Sequence, residues 1–266
     1  MRLTIIGCTG SMSGPASPAS CYLIQAPGVD PQTGLERMWN VVLELGPGSF
    51  GALWRHIDPR DLDAVIFSHC HADHMGDVVS LQVHRRWGPA SDLPPLLVAG
   101  PADTAERIRQ IDGAAPDEQY CREFSFFTLS AEQSFMIGPL SLTPAAGWHT
   151  VEAYGVRVEG PGEEEGMASM FFTGDTDEIS TIREGARGVD LLLTEVGFTR
   201  ADTTRGIHMD GVRAGRLAAQ AQAGRVVATH IQPWTDRGIV EEELRTHWSG
   251  PLDFADADRV FIVEGE

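Results

Sequence analysis

Six consecutive residues, His69-Cys70-His71-Ala72-Asp73-His74, place three imidazoles and a carboxylate directly behind the apolar run Ala64-Val65-Ile66-Phe67-Ser68. Such a run reads as a buried strand, and a strand delivers whatever follows it to the edge of a sheet. Imidazole nitrogen and carboxylate oxygen suit zinc and the neighbouring divalent transition metals. One carboxylate, joined by histidines from distant segments, can hold two ions together. A structural zinc site does not usually take this form, and a chance surface cluster leaves the preceding strand unexplained.

Around this feature the chain alternates strand and helix signals. Apolar runs predict strands near Leu3–Gly7, Cys21–Gln25, Trp39–Leu45, Ala64–Ser68 and Leu96–Ala99. The second half repeats the rhythm at Phe124–Leu129, Leu140–Thr143, Tyr154–Val158, Met170–Thr173, Leu191–Thr194, Val226–Thr229 and Val260–Val263. Helical spacing fits Phe50–Ile57, Asp77–Trp87, Ala102–Ile111, Glu178–Ala186 and Asp210–Ala223. For the last of these, Asp210 can cap the first turn and Gly224 can take the left-handed stop. The segments Ala26–Glu36 and Gly160–Gly166, rich in Pro, Gly and acids, predict hairpin loops on the surface. Two similar halves of mixed sheet and helix, with no linker between them, are compatible with a single α/β (α+β) domain over residues 1–266, built as a four-layer αββα sandwich.

Charge and cysteine usage narrow the function. The formal charge of -18 repels a polyanion at long range, which argues against broad nucleic-acid binding and suits a compact ligand; the bland reading is that the acids serve solubility. Cys8, Cys21, Cys70 and Cys121 stand far apart without a C-x-x-C pair and read as reduced thiols. The N-terminal apolar run is too short for a signal-peptide core or a membrane span, so the cytoplasm is the expected location and no membrane partner is expected.

The ligand cluster resembles that of metallo-β-lactamase-fold hydrolases, which build their site from loops between two packed sheets flanked by helices. Downstream, His149, Asp175 and His230 each follow an apolar run, in the family's order. The resemblance implies that His69, His71 and His149 hold a first ion, that Asp73, His74 and His230 hold a second, and that Asp175 bridges them. Zn2+ is the expected metal, with Mn2+ and Fe2+ tolerated by the same ligands. Two ions about 3.5–4 Å apart can share a hydroxide and stabilise both attacking and leaving oxygens. Asp73 is then the candidate to orient or deprotonate that nucleophile. Where many relatives carry an aspartate supporting the ligands, this chain has Glu44, which either orients a ligand histidine or ends a strand. Cys70, between two ligand histidines, is not expected to ligate. His56, His84 and His247 are assigned to structure or solvent.

Leu191-Leu192-Leu193-Thr194-Glu195, followed by Gly206-Ile207-His208 before a helix, is similar to the ribonuclease Z-like branch of that superfamily. The resemblance implies that His208 lies near the scissile phosphate and that Glu195 orients it. Local readings of the same two residues are a helix entry and a strand end. Over nearly the full chain the words Gly7–Ser11, Ser17–Ser20, Ser68–His74, Thr173–Thr176 and Thr229–Thr235 most resemble actinobacterial class II-like cyclic-AMP phosphodiesterases. That likeness implies hydrolysis of 3′,5′-cyclic AMP to 5′-AMP by a homodimer. The Gly10–Pro18 loop admits two readings: Ser11 and Ser13 reach a phosphate or ribose, or they form an ordinary turn. Trp148 and Phe198 stack on a base or pack locally.

The competing functions are a tRNA 3′-processing ribonuclease, another phosphodiester or ester hydrolase of the fold (thioester, lactone, sulfate ester or β-lactam), and a non-enzymatic nucleotide-binding module. Only 25 residues separate His149 from Asp175, which leaves little room for the RNA-clamping arm that many processing nucleases insert there. Metal content separates the binding module from the hydrolases.

Overall fold

The computed structural model describes residues 1–163 and 166–265. Among them the strands fall into two seven-stranded sheets. The first contains β1 (Arg2–Gly7), β2 (Cys21–Val29), β3 (Glu36–Leu43), β4 (Ala64–Ile66), β5 (Leu96–Gly100) and β6 (Phe124–Thr128). The second contains β7 (Phe135–Ile137), β8 (Leu140–Ala146), β9 (Tyr154–Pro161), β10 (Met167–Phe172), β11 (Leu191–Glu195), β12 (Arg225–Thr229) and β13 (Leu252–Phe254); β14 (Val260–Ile262) returns to the first sheet and pairs with β1. In each sheet an antiparallel half passes into a parallel half, at β3–β4 and at β10–β11 respectively.

Alternate residues of one strand feed different cores, which explains why the strand signals are continuous apolar runs. Tyr22 and Ile24 of β2 lie between the sheets, while Cys21 and Leu23 face helices on the outside. Leu191 and Leu193 of β11 face the first sheet, and Leu192 between them faces the outer helices. The outer layer on the first sheet is α1 (Ser49–Leu53), α3 (Val78–Arg86) and α4 (Thr104–Asp112), and α2 is the single turn Ala72–Met75. On the second sheet it is α5 (Ser180–Gly185), α6 (Gly211–Ala221) and α7 (Arg237–Leu244). The result is the four-layer αββα sandwich expected from the sequence.

Several boundaries differ from the sequence reading, each for a physical reason. The expected loop 26–36 is mostly strand: β2 continues to Val29 and pairs with β3 from Glu36. Pro27 is tolerated because β1 stops at the Arg2↔Gln25 pair, so beyond it β2 is hydrogen-bonded on one side only. At the second expected loop, β9 runs on to Pro161 and β10 starts at Met167, with residues 164–165 outside the described ones. Asp210 does cap α6, accepting the Arg213 amide at 2.8 Å, but the left-handed stop is Gln222 at φ 56°, not Gly224. Gly224 serves a different need: a Cβ there would lie 2.8 Å from the Asp190 carbonyl oxygen. The three-residue strands β7 and β13 and the helix α7 carried too little periodic signal to be read.

The parallel halves position the site. Glu44 follows β3, His69 follows β4, Asp175 follows β10, Glu195 ends β11 and His230 follows β12. Parallel neighbours place their C-terminal ends on one edge, where the loops gather. The two sheets are joined there by Tyr154 N–H donating to Ser68 O at 2.9 Å, His230 N–H to Cys8 O at 3.1 Å, and the Tyr22–Thr229 hydroxyl pair at 2.8 Å. Among the described residues no helix is long and apolar enough to cross a membrane.

Candidate metal centre

His69 and His71 arrive on the segment after β4, and His149 arrives on the loop between β8 and β9. Nδ1 of His71 lies 3.1 Å from Nε2 of His69 and 3.1 Å from Nε2 of His149. The other nitrogen of His149 is 2.8 Å from the Ile207 carbonyl oxygen, which can only accept. His149 therefore carries its proton on Nδ1 and, when neutral, turns a lone pair toward its neighbours. Burial, and for His69 and His71 the adjacent imidazoles, pushes all three below the ordinary histidine value. Neutral imidazoles with converging lone pairs fit a cation. Tetrahedral zinc with Zn–N bonds of roughly 2.0–2.1 Å would set its nitrogens about 3.3 Å apart.

A second group lies beside the first. Oδ2 of Asp175 is 3.3 Å from Nε2 of both His74 and His230 and 3.9 Å from Nε2 of His69, so this one oxygen touches both groups. Asp73 Oδ2 is 3.2 Å from His74 Nε2 and 3.4 Å from His230 Nε2. Oδ1 of Asp175 is buried without a protein donor among the described residues, an orphan that a metal ion would satisfy. Against the cost of burial, His230 and His74 hold the Asp175 carboxyl well below the usual carboxylate range. Asp175, Asp73 and Glu44, likewise against burial, hold His74 well above the usual histidine value. The donor set thus fits divalent metal on both sides of Asp175.

Glu44 is fully buried, and its Oε1 accepts the Ser68 amide at 2.9 Å. Its Oε2 is 3.6 Å from Nδ1 of His74, the ring nitrogen facing away from the cluster. Of the two readings offered by the sequence, the geometry favours orientation of a ligand histidine.

Next to the second group stands His208, with Nδ1 at 3.3 Å from Glu195 Oε1 and 3.7 Å from Asp175 Oδ2. Glu195 is fixed in turn by backbone amides: Thr176 and Met209 at 3.1 Å to Oε1, and Gly197 at 2.6 Å to Oε2. Burial alone would lower the His208 pKa, but the Glu195 charge and hydrogen bond, with Asp175, outweigh it and push it up to about 9.

Asp177, which the sequence did not single out, ties this region together. Its buried carboxylate accepts the Gly206 amide at 2.8 Å and the Glu178 amide at 2.7 Å and pairs with Arg213 and, at 2.7 Å, with Arg205. Its own amide donates to Trp148 O at 2.9 Å. Segments next to His149 and His208 are therefore tied to one residue, Trp148 through the Asp177 backbone amide and Gly206 through the Asp177 carboxylate. No local pattern announces it, because Arg213 lies 36 residues further along the chain.

The remaining candidates divide. The Ser13 hydroxyl donates to Pro47 O at 2.5 Å, a contact that belongs to the turn. Ser11 is exposed, and its backbone amide lies 3.3 Å from His230 Nε2. Ser11, Glu44 and His230 all hold left-handed backbone, at φ 63°, 63° and 57°. Cys70 is buried with its sulfur 3.6 Å from the Thr104 hydroxyl, and all four cysteines are free. His56 pairs with Asp258 at 2.8 Å, His84 packs edge-on against Phe50 and Trp54, and His247 is exposed. The Trp148 indole packs so closely on Gly206 that a Cβ there would lie 2.6 Å from Nε1.

A β-lactamase superfamily domain model matches residues 40–231. The uncharacterized protein Rv1339 of Mycobacterium tuberculosis is 35% identical over 266 residues, 99% of this chain and 92% of that one. The probable metallo-hydrolase YhfI of Bacillus subtilis is 25% identical over 272 residues, spanning both chains. Its crystal structure superposes with a TM-score of 0.83, covering 98% of each chain at 24% identity. The short form of human tRNase Z shares the fold along the full length of both chains, with a TM-score of 0.73 at 16% identity.

Proposed function

This chain belongs to the β-lactamase superfamily as a metallo-hydrolase of that fold, and from that premise we propose that it is a 3′,5′-cyclic-AMP phosphodiesterase with a two-metal centre. The observation that carries the reading is the Glu195–His208 pair, 3.3 Å apart and set against Asp175. Hydrolysis of a phosphodiester needs a proton for the departing alkoxide, and a histidine held cationic beside the reacting centre supplies one. A likeness to a tRNase points in the same chemical direction.

The metal pair, Zn2+ in the first instance, would supply the positive charge that acidifies water and draws electron density from the phosphoryl oxygens. His69, His71 and His149 would hold one ion and Asp73, His74 and His230 the other, with Asp175 shared. Asp73 is half-buried and held ionised by His230 and His74 against the cost of its burial. It orients the attacking water and relays its proton to solvent. As oxygen bonds to phosphorus, the bond from phosphorus to the ribose 3′ oxygen breaks, and His208 protonates that oxygen to leave 5′-AMP. Glu195 keeps the His208 ring oriented through Nδ1 and so frees Nε2 for the leaving group.

Two features favour a small cyclic nucleotide over RNA. The charge of -18 opposes a polyanion, and only 25 residues separate His149 from Asp175, most of them in β9 and β10, which leaves little room for an RNA-clamping arm. The test is a parallel assay of cyclic AMP, cyclic GMP, precursor tRNA and a simple aryl phosphodiester on zinc- or manganese-loaded protein. Release of 5′-AMP from cyclic AMP with intact tRNA is expected; tRNA cleavage, or inertness toward cyclic AMP, overturns the reading.

A further inference from the structure

Beside His208 lies a cleft of about 520 Å³ walled by Gly197, Phe198 and Asp202 on one side and Gln232, Trp234 and Asp236 on the other. We infer that this cleft receives the nucleoside part of the substrate, with the base stacked on Trp234. The inference rests on the phosphodiesterase reading above and adds to it the place where the organic half of the ligand sits.

The cleft abuts the candidate centre through residues of its lining that pack against His208. Gly197 donates its amide to Glu195, and a Cβ on it would lie 2.7 Å from the His208 ring. Phe198 meets that ring edge-on, with centroids 4.9 Å apart and planes at 85°. On the opposite wall, Gln232 is two residues beyond His230. A ligand whose phosphate reaches His208 therefore has this cleft next to it, at a volume typical of small-molecule sites.

Charge sets the direction of the ligand. Two carboxylates, Asp202 and Asp236, line the cleft without any Lys or Arg among its described lining residues, so it repels phosphate and accepts a neutral group. Asp202 Oδ2 receives the Thr199 amide at 2.9 Å and Asp236 Oδ1 the Gly238 amide at 2.8 Å, which leaves one oxygen of each for an amino donor. Trp234, 72% exposed at this cleft, offers the flat face on which a base stacks. A lone exposed tryptophan is unremarkable by itself; its place on a cleft adjoining His208 is what gives it a partner.

The experiment compares wild type, Trp234→Ala, Trp234→Phe and Trp87→Ala, all metal-loaded, on cyclic AMP and on methyl p-nitrophenyl phosphate, which has no nucleoside. In Trp234→Ala the ratio of kcat/KM for cyclic AMP to that for the aryl ester should fall roughly 5- to 100-fold, mostly through KM, in line with loss of one base stack. Trp234→Phe should restore most of it, and Trp87→Ala, an exposed tryptophan at the end of α3, should leave the ratio alone. An unchanged ratio in Trp234→Ala overturns the inference. Saturation-transfer NMR with adenosine separates this from failure of the phosphodiesterase reading. Transfer to the base protons that is present in wild type and lost in Trp234→Ala supports the cleft even if no cyclic nucleotide is cleaved; transfer that is absent, or unaffected by the substitution, overturns it.

Discussion

Oε2 of Glu44 lies 3.6 Å from Nδ1 of His74, and neither atom has a nearer protein partner among the described residues. Each buried polar group is thus the other's remaining means of satisfaction, and the pair fixes which nitrogen of His74 faces Asp175. Glu44→Gln cannot serve both contacts: an amide that accepts from His74 turns its NH2 toward the Ser68 amide. Metal affinity should fall about 10- to 100-fold, as loss of such outer partners does elsewhere, measured by competition with a chromogenic chelator. An unchanged affinity would return Glu44 to the role of a strand end.

His208→Ala should reduce turnover of cyclic AMP by roughly 10²- to 10⁴-fold, the usual weight of a general acid. Metal content per chain, read by plasma mass spectrometry, should stay at two, because His208 donates to neither of the two ligand groups in the proposed assignment. Parallel loss of metal and turnover would make it a ligand or a structural residue.

Arg213→Met removes one cation from the fully buried Asp177 carboxylate, which keeps Arg205 and two amides. Stripping a partner from a buried pair typically costs about 3 kcal/mol or more. Urea unfolding should therefore show Arg213→Met well below wild type, with the double variant Asp177→Asn/Arg213→Met recovering part of the loss. Strict additivity of the two substitutions would show that the residues do not act as a pair.

The layers and the metal cluster were legible because both are written locally. Continuous apolar runs announce strands covered on both faces, and His69–His74 needs only six residues to present its ligands. His149, Asp175 and His230 could be placed because each follows a strand signal, although their convergence is a property of the parallel sheet halves. Asp177 was not legible, since its carboxylate draws on Arg205, Gly206 and Arg213 through tertiary contacts alone. The extension of β2 through Pro27 depends on where β1 stops, which no window around Pro27 contains. Gly224 illustrates the opposite error: its freedom to take left-handed backbone suggests a helix end, whereas the fold uses its lack of a side chain beside the Asp190 carbonyl.

The left-handed backbone at Ser11, Glu44 and His230 is a cost borne by the fold at three non-glycine positions around the metal centre, on the order of 1 kcal/mol each. Glycine at any of them would relieve it, yet at 44 and 230 it would also delete the carboxylate behind His74 or an imidazole of the candidate metal group. At 44 it would further leave the buried Ser68 amide and His74 Nδ1 without an acceptor, about 1–3 kcal/mol for each group, which outweighs the strain relieved. The strained backbone is therefore retained by the side chain it carries, and local relief by glycine is closed to the fold.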